Sequence, residues 1–278
     1  MKQNLKIILE KLKNDRFALG LGVFVFLLAL TAGIFILNSN RTPDKTNAMN
    51  EEREDENVPV SGSKREIPIY CVDTKESKIA LSFDAAWGDE YTETILDILD
   101  AQDVKATFFI TGQWLHDYPE SVLEVYNRGH EIANHSLNHK EMSKLTEEEI
   151  EKEIMGIHKE LKELTGYEPS LFRPPYGDYD NEVILTAKKC GYTTIQWSVD
   201  SLDWKNYGVS NIIDTVTTHK QMENGAIILM HNGAKYTPDA LEEVILRLKE
   251  KGFSFVTVSE LIYTNDYEID ATGKQHKI

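Results

Sequence analysis

Cysteine is almost absent from this chain, which has two in 278 residues, Cys71 and Cys190. Two thiols allow at most one bridge, and nothing in the sequence places them near each other. Positive charge is also scarce: 30 Lys and Arg stand against 46 Asp and Glu, a formal net charge of −16. That balance argues against a nucleic-acid partner, whose phosphates demand cationic faces. Internal repeats are missing as well, which leaves one compact unit of about 200 residues plus an appendage as the simplest organisation.

Long apolar runs are missing too, with one exception. Phe17 to Leu37 is uncharged and almost wholly apolar, and at 1.5 Å per helical residue about 20 such residues cross a bilayer. A transmembrane helix is therefore predicted over 17–37. The preceding segment, 1–16, carries Lys2, Lys6, Lys11, Lys13 and Arg16 against Glu10 and Asp15, so the positive-inside bias keeps it cytoplasmic and exports the chain beyond Leu37. A cleaved signal peptide is the alternative, and it is disfavoured by the length of the run and by the apolar residues that continue past Ala32. Taking those five basic and two acidic residues from the totals leaves 25 against 44, a net charge of −19 outside. Export permits a disulfide without requiring one.

Residues 38–66 contain Pro43, Pro59, many charges and no apolar periodicity, and read as a disordered linker. From Ile67 the pattern changes to short β-rich runs alternating with longer amphipathic segments, the signature of βα units around a parallel sheet. Strands are predicted over Ile79–Phe83, Lys105–Ile110, Glu131–Ala133, Leu171–Phe172, Thr193–Val199, Ala226–Met230 and Ser254–Val258. Helices are predicted over Glu90–Ala101, Pro119–Arg128, Thr146–Leu164, Asn181–Cys190, Val209–Met222 and Pro238–Lys251. About seven such repeats in roughly 200 residues suit an incomplete or distorted (β/α) barrel over 67–263 better than a doubly wound sheet. The polar segment 264–278 reads as a frayed tail.

Functional groups of parallel βα folds gather where strands end, because the loops there share one face. Five predicted strands end on a polar side chain: Asp84, His135, Arg173, Asp200 and His231. His135 and His139 are spaced i, i+4, so one helical turn would aim both imidazoles at a divalent metal. Taken alone, such a pair is surface decoration about as often as a site. In Arg173-Pro174-Pro175-Tyr176-Gly177 two prolines fix φ and remove donors, which leaves Tyr176 as the first free backbone N–H after Arg173 and suits it to an oxyanion. In isolation that run is simply a stiff turn. Asp200-Ser201-Leu202-Asp203-Trp204 offers two carboxylates, either of which could orient a histidine, and an indole that could pack on a sugar face. His231 leaves an apolar strand at the core boundary, where its proton affinity can be tuned for transfer.

In this order the segments Ser82-Phe83-Asp84, His135-Ser136-Leu137-Asn138-His139, Arg173-Pro174-Pro175-Tyr176-Gly177, Asp200-Ser201-Leu202-Asp203-Trp204 and Leu229-Met230-His231 resemble the polysaccharide deacetylases of carbohydrate esterase family 4, also called the NodB-like domain. The resemblance covers about Ile67 to Tyr263. It implies a distorted (β/α) barrel, a divalent metal that is zinc or alternatively cobalt or nickel, and an N-acetylated glycan such as peptidoglycan as substrate. It makes Asp84 the general base, Arg173 its charge-assisted partner, His135 and His139 metal ligands, and the Tyr176 N–H an oxyanion donor. His231, oriented by Asp203, becomes the acid for the leaving amine, and Trp204 and Leu229 wall the acetyl pocket together with Tyr176. O-acetylated polysaccharide is an alternative substrate.

One departure stands out. The family has a second aspartate after Asp84 that completes an Asp-His-His metal triad, and this chain has Ala85. Catalytic zinc ordinarily keeps three protein ligands, so Asp89, in the same loop, is the candidate substitute; its competing role is N-cap of the helix beginning at Glu90. The incomplete triad also admits a catalytically silent glycan-binding homologue. The Ser-Phe-Asp-Ala-Ala-Trp-Gly form of the first motif resembles the sporulation-associated branch of the family. The combined expectation is a single-pass protein of the cell membrane whose catalytic domain lies outside the cytoplasm.

Overall fold

The computed structural model describes residues 65–278; the expected basic segment 1–16, membrane helix 17–37 and nearly all of the linker 38–66 lie outside them. Among the described residues no helix is long and apolar enough to cross a membrane. The elements in chain order are β1 (Cys71–Val72), β2 (Lys78–Ala85), α1 (Thr92–Ala101), β3 (Thr107–Ile110), α2 (Gly112–Asp117), α3 (Pro119–Asn127), β4 (Glu131–Asn134), α4 (Glu147–Thr165), β5 (Leu171–Phe172), α5 (Asn181–Lys189), β6 (Thr193–Thr194), β7 (Val199–Asp200), α6 (Val209–Thr217), β8 (Ile227–His231), α7 (Thr237–Glu250), β9 (Ser254–Val256), α8 (Val258–Leu261), β10 (Tyr267–Ile269) and β11 (Lys274–Lys277).

The main sheet runs β6-β5-β4-β3-β2-β8-β7 with every pairing parallel, and β9 joins the early part of β2. Side chains alternate across it, as the period of two requires. Phe83 and Ala85 of β2, Phe108 and Ile110 of β3 and Ile228 and Met230 of β8 join the large apolar cluster that the helices cover. Ala80 of β2, Phe109 of β3, Ala133 of β4 and Ile227 of β8 belong to a second cluster on the inner face of the curl. Asp84 pairs in register with Phe109 and His231. This register carries the polar residues of neighbouring strands to the same end of the inner face.

Helices form where local signals agree. Thr146 and Glu149 make a reciprocal capping box at the start of α4, and Gly166 ends it in the left-handed conformation at φ 74°, as such caps require. Its buried stripe, Ile150, Ile154, Ile157 and Leu161, follows the 3.6-residue period.

Three expectations from the sequence need correction. His135 and His139 do not share a helical turn: the segment between them lies outside every helix, with Ser136 at φ 69° and His139 at φ 52°, so a loop rather than an i, i+4 spacing brings the rings together. The run Thr193–Val199 is not one strand: β6 and β7 are separate two-residue strands at opposite ends of the sheet order. Between them the chain crosses the open side of the curl. There the Ile69 N–H bonds the Thr194 carbonyl at 3.0 Å and the Gln196 N–H bonds the Ile69 carbonyl at 2.7 Å. A strand's worth of β-rich residues is thus divided by a crossing that only tertiary pairing reveals. The segment 264–278 is not frayed either. β11 pairs parallel with β1 and antiparallel with β10. The fully buried Gln275 donates to the Tyr263 carbonyl at 2.7 Å and accepts from the Tyr263 N–H at 2.9 Å. His276 lies between Asp73 at 3.1 Å and Asp270 at 3.0 Å, and the nearby Asp270 and Asp73 carboxylates push its pKa up. The tail is ordered by polar contacts, so its low hydrophobicity misleads. Both cysteines are free thiols.

Deleting residues 264–278 removes, with the β1–β11 pairing, the two part-buried Gln275–Tyr263 hydrogen bonds, which alone contribute about 1 kcal/mol each. For a domain of this size the thermal midpoint should fall by about 4–8 °C in calorimetry; an unchanged midpoint would show that the hairpin contributes nothing.

Candidate active site

The strand ends at the carboxyl edge of the sheet open into a cavity of about 450 Å³. It is lined by Asp84, Ala86, Trp87, His135, His139, Tyr176, Trp197, Asp200, Trp204, Leu229 and His231. Residues from five separate stretches of sequence meet there.

Arg173 anchors one side. It is completely buried, and its guanidinium lies 3.9 Å from the centre of the Phe109 ring and 5.6 Å from that of Trp197. It donates to Asp84 Oδ1 at 2.7 Å, to Ser82 Oγ at 3.0 Å and to the Gln196 carbonyl at 3.2 Å. Burial alone would push the Asp84 carboxyl up; the charge and bond of Arg173 outweigh it and hold Asp84 below the usual carboxylate range. Oδ1 is therefore committed to Arg173. Oδ2 remains on the cleft side, 3.4 Å from His135 Nε2.

The opposite side is built around Asp203, which is also fully buried. One of its oxygens meets His231 Nδ1 at 2.7 Å; the other accepts from the His231 N–H at 2.8 Å and from the Thr237 hydroxyl at 2.6 Å. Burial would lower the His231 pKa, but the bond and charge of Asp203, followed by Asp84 and Asp200, raise it above the ordinary value of 6.5. His231 is thus held as a proton donor with Nε2 left for the cleft. Asp200, on the same wall, has its carboxyl pushed up by burial.

Pro174 and Pro175 turn the chain so that Tyr176 adopts φ 60° and ψ 7°, a left-handed conformation that a non-glycine residue rarely takes. Its backbone N–H finds no protein acceptor among the described residues. Its ring is 69% exposed and meets His139 edge-on, with centroids 4.5 Å apart. Trp204, about half exposed, lines the same cavity, and Leu229 is buried.

The metal ligands implied by the sequence meet in part. His135 Nδ1 lies 2.7 Å from the Arg173 carbonyl; a carbonyl only accepts, so Nδ1 carries the hydrogen and Nε2 turns its lone pair to the cleft. The His135 and His139 rings are 5.0 Å apart. Burial lowers both pKa values, that of His139 to about 4 with the help of His135, which keeps both imidazoles neutral. Such a pair fits a divalent ion as two of its ligands. The third position is different. Ala85 has no donor, and its side chain joins the helix-side cluster. Among the described residues no group of three His, Cys, Asp or Glu is arranged to hold an ion.

Asp89, the candidate substitute, does not reach the cleft. Gly88 turns the chain at φ 64°, and its carbonyl is held by the Trp114 indole N–H at 2.7 Å. Asp89 is thereby carried away to accept from the Ser121 hydroxyl at 2.9 Å. Nor does it cap α1, where Tyr91 occupies the N-cap position.

Two functional neighbours went unrecognised in the sequence. One is Trp87, which packs against His231 with ring centroids 5.0 Å apart and an interplanar angle of 34°. The available signal was an aromatic three residues beyond a strand-end carboxylate. The other is Ser82, whose hydroxyl accepts from Arg173 and donates to the Ile228 carbonyl at 2.6 Å.

Replacing Arg173 by Met should cost about 3–5 kcal/mol, because it leaves Asp84 buried without its counter-charge. Denaturant unfolding of Arg173→Met measures this, and a loss below about 1 kcal/mol would contradict the anchoring role.

The polysaccharide deacetylase family profile matches residues 72–195. A peptidoglycan-N-acetylglucosamine deacetylase of Bacillus cereus is 39% identical over 196 residues, covering 69% of this chain and 91% of that protein. The peptidoglycan-N-acetylmuramic acid deacetylase PdaA of Bacillus subtilis is 32% identical over 209 residues, covering 72% and 77%. Among solved structures, a CE4 family pseudoenzyme of Bacillus anthracis matches with a TM-score of 0.68 at 31% identity, covering 76% of this chain and 73% of that one. A mutant of that pseudoenzyme with restored enzymatic activity matches with a TM-score of 0.67 at 34% identity, covering 70% of each chain. A shared motif order, a curled parallel sheet and similarity across most of the described residues lead to one conclusion: this chain belongs to the polysaccharide deacetylase family.

Proposed function

We propose that this protein removes N-acetyl groups from the peptidoglycan of the cell wall or spore, with its catalytic domain outside the cytoplasm and tethered through residues 17–37. The observation that carries this reading is the placement of two bonded pairs in one cleft, Asp84 on Arg173 at 2.7 Å and His231 on Asp203 at 2.7 Å. An amide needs both at once: a base for the attacking water and an acid for the leaving nitrogen.

In this mechanism Asp84 takes the proton of the attacking water at Oδ2, while Arg173 holds Oδ1 and keeps the carboxylate ionised. The Tyr176 N–H, aimed by Pro174 and Pro175, donates to the oxygen of the acetyl carbonyl as charge builds on it. His231 delivers the Nε2 proton to the departing amine, and Asp203 stabilises the imidazolium before transfer. Leu229 and Trp204 enclose the acetyl methyl, and the exposed Trp204 face accepts the sugar. A divalent ion on His135 and His139, zinc or alternatively cobalt or nickel, would supply an activated water and additional charge for the oxyanion.

Ala85 favours a second reading, a silent homologue that binds wall glycan, and the similarity to a pseudoenzyme is consistent with it. Acetate release from N-acetyl glycans by a soluble domain starting near Glu66, with added zinc or cobalt, separates the two. Release above a His231→Ala control supports the enzyme. No release, together with glycan binding unchanged by His135→Ala, supports the silent homologue.

The pH profile of kcat/KM should be bell-shaped. Asp84, held low, stays available as pH falls until the medium drops below the usual carboxylate range. His231, held high, keeps its proton past 6.5 and loses it, with activity, as pH rises through its raised pKa. Asp203→Asn should shift the basic limb to lower pH and reduce kcat by about 10²-fold or more; an unmoved limb would count against His231 as the acid.

A further inference from the structure

We propose that Trp87 is a positioning residue for His231, the second half of a clamp whose first half is Asp203. The inference rests on the deacetylase reading above. Asp203 fixes the His231 ring at Nδ1, but one hydrogen bond leaves the ring free to swing about the Nδ1···Oδ1 line. The Trp87 indole covers one face of that ring at 5.0 Å and 34°, which removes the remaining freedom and leaves Nε2 directed into the cleft.

Trp87 is placed to do this by a loop pinned at several points. Its own indole N–H donates to the Gly233 carbonyl at 3.2 Å. The next carbonyl, that of Gly88, accepts from the Trp114 indole at 2.7 Å and lies 3.5 Å from the Asn232 amide nitrogen. Gly233 allows the close approach: a Cβ there would sit 2.1 Å from the Trp87 carbonyl oxygen and 2.8 Å from its ring. The loop after the catalytic carboxylate is therefore built onto the turn after the catalytic imidazole. An indole left 43% exposed in so constrained a loop gains little by burial, and its inner face is the one that meets His231.

A misaligned acid harms reactions in proportion to how poorly the leaving group departs by itself. An amide nitrogen must be protonated; p-nitrophenolate need not be. Trp87→Ala should lower kcat for acetate release from an N-acetyl glycan by about 10- to 100-fold with little change in KM. On p-nitrophenyl acetate the fall should be smaller, so that the amide-to-ester ratio drops by about tenfold or more. Trp87→Phe, which keeps an aromatic face, should recover most of the amide rate. Independently of activity, the His231 ring protons should be shielded by the indole in wild-type NMR spectra and lose that shift in Trp87→Ala.

Equal losses on amide and ester would overturn the proposal, as would an unchanged amide kcat or an unshifted His231 resonance. A Trp87→Ala protein that fails to fold leaves the Phe variant and the wild-type ring shift to decide. If the wild type releases no acetate from glycan, the deacetylase reading fails, while the ring-shift measurement still accepts or rejects the clamp.

Discussion

The cleft depends on a guanidinium buried at the centre of the fold. Arg173 lies over Phe109, bonds three oxygens from two segments, and holds the Asp84 carboxyl below the usual carboxylate range despite its burial. Burying an arginine is costly unless its charge and donors are met. Asp84, Ser82 and the Gln196 carbonyl meet most of that demand, and in doing so tie β2, the end of β5 and the crossing between β6 and β7 to one another. The Arg173 carbonyl fixes the His135 tautomer as well. Stability and the proposed chemistry therefore share the same contacts, and the proposed base, its anchor and a candidate metal ligand are set by one side chain and its backbone.

The two walls of the cleft are electrostatically opposite although each contains a carboxylate and a cation. On one, the carboxylate faces the cleft and the cation is buried behind it. On the other, Asp203 is buried and His231 faces outward. Swapping which member of each ion pair is exposed gives a base and an acid from the same kinds of group. The third element of the family's chemistry, a carboxylate ligand beside Asp84, is replaced by Ala85, whose side chain joins the apolar layer under the helices. In the proposed chemistry the chain retains the acid–base pair and both imidazoles but lacks the third metal ligand that the family resemblance implies, so acetate release rather than family membership decides between enzyme and silent homologue.

Much of this was legible in the sequence. Asp84, His135, Arg173 and His231 sit just past short β-rich runs, and the strand register carries them to one edge whatever the details of the helices. What the sequence concealed depended on torsions and distant partners. Asp89 lies only five residues from Asp84, yet the turn at Gly88 and its bond to Trp114 carry it out of the cleft. Trp87 finds its partners, Gly233 and His231, more than 140 residues away, and no local pattern announces them. The run 193–199 has strand composition throughout, but β6 and β7 belong to opposite ends of the sheet. The order of the tail is hidden from the sequence because it comes from Gln275 and His276 meeting polar partners, a contribution that hydrophobic periodicity does not register.

The proposed chemistry stands on Asp84 being held ionised by Arg173. The most direct measurement is a carboxyl ¹³C NMR titration of Asp84. A midpoint below the ordinary value of 3.8 is expected, rising when Arg173 is replaced. A wild-type midpoint at or above that value would mean that burial dominates, that no ready base faces the cleft, and that the proposed division between base and acid is wrong.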